Sequence, residues 1–126
     1  MQWTKDQRKI IDARDCNLLV SAAAGSGKTA VLVERIIEMI ADTAHPMDID
    51  ELLVVTFTKA AAAQMKDKIA KALEDMLQKE PENEHYMKQL NYISQANILT
   101  IDSFCYQVVK ENFHVLGIDP TIRIGE

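Results

Sequence analysis

Eight residues, Ala22-Ala23-Ala24-Gly25-Ser26-Gly27-Lys28-Thr29, lie between a short wholly apolar run and a helix-forming segment, and that placement leaves few architectures open. Leu18, Leu19 and Val20 in front of the octet predict a brief strand, and Lys28 to about Ala41 behind it predicts a helix. Glycines at 25 and 27 let successive backbone N–H groups turn inward as a nest, and the free amides that open the helix add partial positive charge, so the loop is built for an anion. The spacing is that of a phosphate-binding loop. Lys28 is expected on the terminal phosphates of a nucleotide and the Thr29 hydroxyl on magnesium, with the backbone from Ala22, Ala23, Ala24, Gly25, Ser26 and Gly27 through to Ala30 around the phosphates. Ser26 serves loop geometry. The general pattern opens with glycine where this chain has Ala22, and a small-residue turn that packs closely and binds nothing is the plainer alternative.

The rest of the chain repeats the same alternation. Thr4 to about Arg14 predicts a short helix, with Thr4 as N-cap and Gln7 at the capping-box position. The helix from Lys28 is apolar almost all round apart from Glu34, Arg35 and Glu38, as a helix packed on a sheet is. Leu52 to Val55 predict a second strand buried on both faces, Lys59 to Lys79 a long helix stopped by Pro81, and Glu84 to Gln95 another helix. Ile98 to Ile101 predict a third strand, after which Asp102 or Ser103 caps a helix that ends at Gly117 in the left-handed conformation. Short apolar strands alternating with helices imply a parallel sheet covered on both sides, a three-layer α/β/α fold. Three strands are fewer than nucleotide-binding sheets of this kind normally have, so the sheet is expected to be incomplete and residues 1–126 to be the front of a longer polypeptide.

Composition narrows the function classes. Fourteen Lys and Arg against nineteen Asp and Glu give a net charge of -5, so any nucleic-acid contact must be local rather than a basic face. The apolar stretches fall far short of the roughly 18 to 20 residues of a membrane span, and no basic-then-apolar leader opens the chain. Cys16 and Cys105 stand 89 positions apart, without metal-ligand spacing, so a reducing cytoplasm is the expected compartment. Trp3, the histidines His45, His85 and His114, and the six methionines form no constellation with a role.

Taken together, Gln7 after Trp3-Thr4, the alanine-first loop, Thr56-Phe57-Thr58 with Ala60-Ala61-Ala62-Ala63-Gln64-Met65, and Thr100-Ile101-Asp102-Ser103-Phe104 resemble the superfamily 1 (UvrD/Rep-like) DNA helicases, in the right order and over nearly the whole chain. An alanine-first loop is usual in that family. Ala60, where UvrD-type members have lysine, points to its AddA/RecB helicase–nuclease branch, whereas Lys59 replaces a frequent asparagine and Asp102 a frequent histidine. The resemblance implies a phosphate-loop, RecA-like motor domain of which residues 1–126 are the N-terminal part, ATP and magnesium as ligands, single- and double-stranded DNA as substrates, and an AddB-like partner subunit in the whole protein. It implies ATP-dependent helicase and exonuclease activity in double-strand break repair and recombination.

By the same resemblance Gln7 reads the adenine edge, since an amide can donate and accept together, although a capping role beside Thr4 explains the residue equally well. Thr56, Phe57 and Thr58 are implied to contact single-stranded DNA through hydroxyls on phosphates and an aromatic ring on a base, while the residues alone suggest a core or strand-end phenylalanine. Thr100 and Ser103 are implied as the next DNA contacts, with Asp102 left to cap the helix because an acid repels phosphate. Lys66, Lys68 and Lys71 interleave with Asp67, Glu74 and Asp75 and predict a solvated face. Hydrolysis further requires an acidic pair and an arginine, which the family carries beyond residue 126, so negligible ATPase is expected from these residues alone. The alternative from another class is a non-enzymatic ATP-sensing module; a small-molecule kinase would need a substrate lid that the sequence does not show.

Overall fold

The computed structural model describes residues 2–25, 27–119 and 121. Thr4 starts the first helix, α1 (Lys5–Asp12), by the expected reciprocal cap: its hydroxyl accepts from the Gln7 N–H at 3.2 Å, and Gln7 Oε1 accepts from the Thr4 N–H at 2.9 Å. Helix α2 (Lys28–Ala41) begins at Gly27, which is left-handed at φ +83°. A 3-10 turn at Ile49–Glu51 leads into β1 (Leu53–Thr56). Helix α3 (Lys59–Lys79) follows with the predicted bounds, capped by the Thr58 hydroxyl, which accepts from the Ala61 N–H at 3.0 Å. Then come α4 (Glu84–Tyr92), a 3-10 turn at Ile93–Gln95 where the sequence predicts continued helix, β2 (Asn97–Thr100), α5 (Ile101–Glu111) and the single turn α6 (Phe113–Leu116). Gly117 closes α6 at φ +67°, as its position predicts, but the single helix expected to run from Ser103 to Gly117 is broken at Asn112.

Strands β1 and β2 pair in parallel, with Val54 opposite Ile98 and Thr56 opposite Thr100. The α3 and α4 helices form the crossover between them. Val54 and Ile98 turn inward together and meet Met65, Ile69 and Leu73 of α3; Ile36, Ile37 and Ile40 of α2 complete the core with Ile49 and Tyr86. The predicted stripe on α3 is therefore buried from Met65 to Leu73, whereas α2, expected to be apolar almost all round, buries Val31, Ile36, Ile37 and Ile40 and leaves Leu32 exposed.

The sheet departs from expectation in two ways. Among the described residues it has two strands rather than three, because Leu18 to Val20 have no ladder partner and Leu19 is 97% exposed. An apolar run becomes a strand only when a neighbouring backbone satisfies its N–H and C=O groups. Strand β1 is also covered on one face only: Val54 is buried while Leu53 and Val55 are part-exposed. What the chain shows is an α/β fold around a small parallel sheet, with helices packed on the Val54 side.

The cap of α5 is a third correction. Thr100, the last residue of β2, takes the role expected of Asp102 or Ser103, its hydroxyl accepting from the Ser103 N–H at 3.1 Å. Its extended backbone (φ -76°, ψ 160°) serves both as strand end and as N-cap, so no loop residue is needed between β2 and α5, and Asp102 sits in the exposed first turn.

Candidate nucleotide site and nucleic-acid face

The loop ahead of α2 carries the conformations that its glycines are expected to supply. Gly25 lies at φ +80° and Gly27 at φ +83°, a region that side-chain-bearing residues avoid. Gly27 has no side chain to cap α2, and the first turn of α2 contains no acid, so the dipole of the helix start is left for an external anion. Lys28 Nζ donates to the Ala22 carbonyl at 3.0 Å, folding the amine back across the mouth of the loop. Ala22, Ala23, Ala24, Lys28 and Thr29 are exposed, with Ala30 partly covered; Ser26 lies outside the described residues.

Gln7 approaches this loop from α1. A Cβ built on Gly27 would stand 3.6 Å from Gln7 Nε2, so the amide faces the turn that begins α2. Between α1 and α2 opens a cavity of about 510 Å³, lined by Thr4, Gln7, Ile10, Ala22, Lys28 and Val31 among others. That volume lies within the usual size of small-ligand sites. The capping box is thus real, and the same side chain borders a cavity that Ala22 and Lys28 also line. A primary amide has two donor hydrogens and two acceptor lone pairs, so capping and base reading are chemically compatible.

Helix α1 is held in place from α2. Arg8 Nη2 reaches Glu38 Oε2 at 2.6 Å and Asp12 Oδ1 at 2.7 Å, and these carboxylates hold the guanidinium well above its already high pKa. Arg35 Nη1 donates to the Ile10 carbonyl at 2.6 Å and also to that of Ala13. Burial pushes the Glu34 carboxyl up from its ordinary range, and Glu38 repels it in the same direction. The three charged residues that interrupt the apolar surface of α2 therefore sit at its junction with α1 or beside it.

The second group of candidates gathers at the carboxyl ends of the strands. Thr56 and Thr100 are register partners, so the two segments named for DNA contact adjoin. Phe57 projects from the end of β1 and is 91% exposed, which removes the core reading of that residue. The hydroxyls have local partners: Thr56 Oγ1 donates to the Thr58 carbonyl at 3.0 Å, Thr58 caps α3, and buried Thr100 both caps α5 and donates to Ser103 Oγ at 2.9 Å.

Beside them a groove of about 310 Å³ runs between α3 and the start of α5, lined by Lys59, Ala62, Ala63, Lys66, Thr100 and Ser103 among others. Charge interleaving alone places Lys66 with Lys68 and Lys71 on a solvated face. The structure separates it, half-buried in the groove wall, from the two exposed lysines. The signal was present in the spacing, since residues 59, 62, 63 and 66 share one face of a helix and Ala62 belongs to its buried stripe.

His85, left without a role by the sequence, joins α4 to the end of α2: its Nε2 lies 2.9 Å from the Ile40 carbonyl, so that nitrogen carries the proton. Next to it Gln89 is fully buried, accepting from the Ile49 N–H at 2.6 Å and donating to Asp48 Oδ1 at 2.8 Å. This network supports the core from the side of α4. Among the described residues no helix is long and apolar enough to cross a membrane, no group of three His, Cys, Asp or Glu is arranged to hold a metal ion, and Cys16 and Cys105 are free and exposed.

The loop at the head of α2 turns through two left-handed glycines, and Phe57 stands exposed at the carboxyl end of β1. The chain belongs to the UvrD/REP helicase N-terminal domain family, which matches residues 3–126. It is 56% identical over 126 residues to an ATP-dependent helicase/nuclease subunit of Clostridium novyi, covering 100% of this chain and 10% of that protein. It is 55% identical over 125 residues to the protein of the same name in Clostridioides difficile, 99% of this chain and 10% of that one. In Lachnoclostridium phytofermentans the match to the like-named protein is 56% over 124 residues, 98% of this chain and 9% of the relative. The chain thus spans about a tenth of the length of these relatives.

Proposed function

We propose that residues 1–126 form the N-terminal part of the first RecA-like ATP-binding domain of an ATP-dependent DNA helicase and exonuclease, acting with an AddB-like partner in double-strand break repair and recombination. The observation that carries the reading is the pair of left-handed glycines at the head of α2, with Gln7 and Lys28 on the cavity beside them, in a chain of the UvrD/REP helicase family.

In this reading Lys28 leaves the Ala22 carbonyl for the terminal phosphates, and the amides from Ala22 through Ser26 and Gly27 to Ala30 surround them. The Thr29 hydroxyl is one ligand of a magnesium ion that offsets phosphate charge when bound. Gln7 presents donor and acceptor to the adenine edge. Phe57 stacks on a base of single-stranded DNA without reading its identity, which suits a motor that must pass any sequence. Ser103 donates to a backbone phosphate in the groove where Lys59 and Lys66 supply charge. Because Thr56, Thr58 and Thr100 have structural partners, their part is to fix the strand ends that aim Phe57 and Ser103.

Grafting residues 1–126 in place of the matching segment of the Clostridium novyi relative tests the whole-protein reading. The chimera is expected to hydrolyse ATP and unwind duplex DNA in the presence of its partner, and to lose both with Lys28→Ala. A folded chimera that unwinds DNA equally well with and without Lys28 would sink the proposal.

A further inference from the structure

Three arginines converge on α1, and two of them lie on opposite sides of the α1–α2 junction. Arg14 Nη1 donates to the carbonyls of Ile11 and Ala13 at 2.6 and 2.8 Å, so it closes the end of α1 from within the same segment. Arg35 does something different. From the middle of α2 its Nη1 donates to the Ile10 and Ala13 carbonyls, placing a permanent positive charge on the negative end of the α1 dipole. One turn further along α2, Glu38 holds Arg8. Ile11, fully buried, lies between these ties. Helix α2 therefore carries the phosphate loop at its start and, seven and ten residues on, the two struts that fix α1.

We propose that Arg35 is a positioning residue for base recognition: it fixes the distance from Gln7 to the phosphate loop, so that one rigid helix sets both the phosphate and the base ends of the nucleotide site. This rests on the nucleotide reading above. Gln7 lies on α1, one turn before Ile10, whereas every phosphate contact comes from the loop and α2 themselves. A hydrogen bond of about 2.9 Å is lost with a displacement on the order of 1 Å. Releasing α1 therefore costs the contact to the base and leaves the phosphate cradle intact. A residue that merely stabilised the fold would weaken both together.

The test titrates magnesium complexes of ATP, GTP and inorganic tripolyphosphate into the chain and into Arg35→Met, Arg35→Lys and Glu38→Gln, with the helical circular dichroism of each recorded. Arg35→Met is expected to weaken ATP about tenfold, the worth of one lost two-point base contact, while GTP and tripolyphosphate binding stay unchanged. Arg35→Lys should recover part of the ATP preference, and Glu38→Gln should shift it in the same direction as Arg35→Met. An ATP-to-GTP ratio unchanged in folded Arg35→Met, or tripolyphosphate affinity falling in step with ATP, overturns the positioning role. If Arg35→Met does not fold, Glu38→Gln decides by the same ratio. A native chain that binds tripolyphosphate but takes ATP and GTP equally overturns this inference and leaves the phosphate loop standing; one that binds none of the three removes both.

Discussion

Replacing Gly25, Gly27 or Gly117 by alanine applies the same backbone perturbation at three places with different consequences. All three glycines have positive φ, at +80°, +83° and +67°. An added methyl would meet nothing within 4 Å at Gly25 and Gly117, and at Gly27 only Gln7 Nε2 at an ordinary 3.6 Å, so the cost is conformational rather than steric. Holding an L-residue left-handed costs about 1–2 kcal/mol. Loss of unfolded-chain freedom returns roughly 0.4–1 kcal/mol, leaving a net of about 1 kcal/mol.

Gly117 caps α6, where the strain is expected as a loss of stability of about 1 kcal/mol in urea unfolding, with ATP affinity unchanged. The exposed phosphate loop is free to relax out of the left-handed region, which spares stability and moves the cost to binding, since the loop must be driven back to receive phosphate. Since about 1.4 kcal/mol is tenfold in affinity, a net cost of about 1 kcal/mol means that Gly25→Ala and Gly27→Ala are each expected to weaken Mg-ATP about fivefold. For either loop variant, the stability loss and the binding loss together should equal that net cost. Both quantities at native values in Gly27→Ala would refute the claim that the left-handed turn shapes the site.

Other outcomes follow from the same contacts. Gln89→Leu keeps most of the side-chain volume but leaves the buried Ile49 N–H unmet, and is expected to cost about 2 kcal/mol in chemical denaturation; a loss under about 0.5 kcal/mol would mean that water or a rearranged backbone serves that N–H. The Lys88 ammonium and then the Gln89 amide hold Asp48 below the ordinary carboxyl range, with burial opposing them. That stabilisation is fully present above the unfolded carboxyl value of about 3.9 and is lost as pH falls through it towards the lower folded value, so Asp48→Asn should flatten the acid limb of the stability curve and leave its neutral region flat. Phe57→Ala should leave unfolding within about 0.5 kcal/mol of native, because the ring is exposed. It should weaken a fluorescent oligo-dT by the roughly 1–3 kcal/mol of one base stack, and unchanged affinity would take Phe57 out of the DNA site.

Much of this architecture was legible because its signals are local. Thr4 and Gln7, Thr58, Pro81 and Gly117 are start and stop marks that act within a few residues, and α1 and α3 fall close to where expected, whereas the helix that Gly117 ends is interrupted at Asn112. The sheet was harder. Leu18-Leu19-Val20 has the composition of a strand, but a strand also needs a paired neighbour, and pairing is a property of residues far apart in the chain. Thr100 escapes notice as a cap because strand and helix share that residue, whereas a sequence reading expects a loop between them. The Arg35 and Arg8 ties, and the groove around Lys66, depend on which faces α1, α2, α3 and α5 present to one another. Only the tertiary packing decides that, and single-helix periodicity gives no more than candidates.

The central claim is that residues 22–30 bind the phosphates of ATP. Its most direct test is calorimetric titration of Mg-ATP into the native chain and into Lys28→Ala, with both confirmed folded by circular dichroism. The account predicts saturable one-to-one binding by the native chain and its loss in the variant, because removing Nζ takes away the only side-chain cation that borders the cavity at the mouth of the loop among the described residues. Equal binding by the two proteins, or none by a folded native chain, would contradict it.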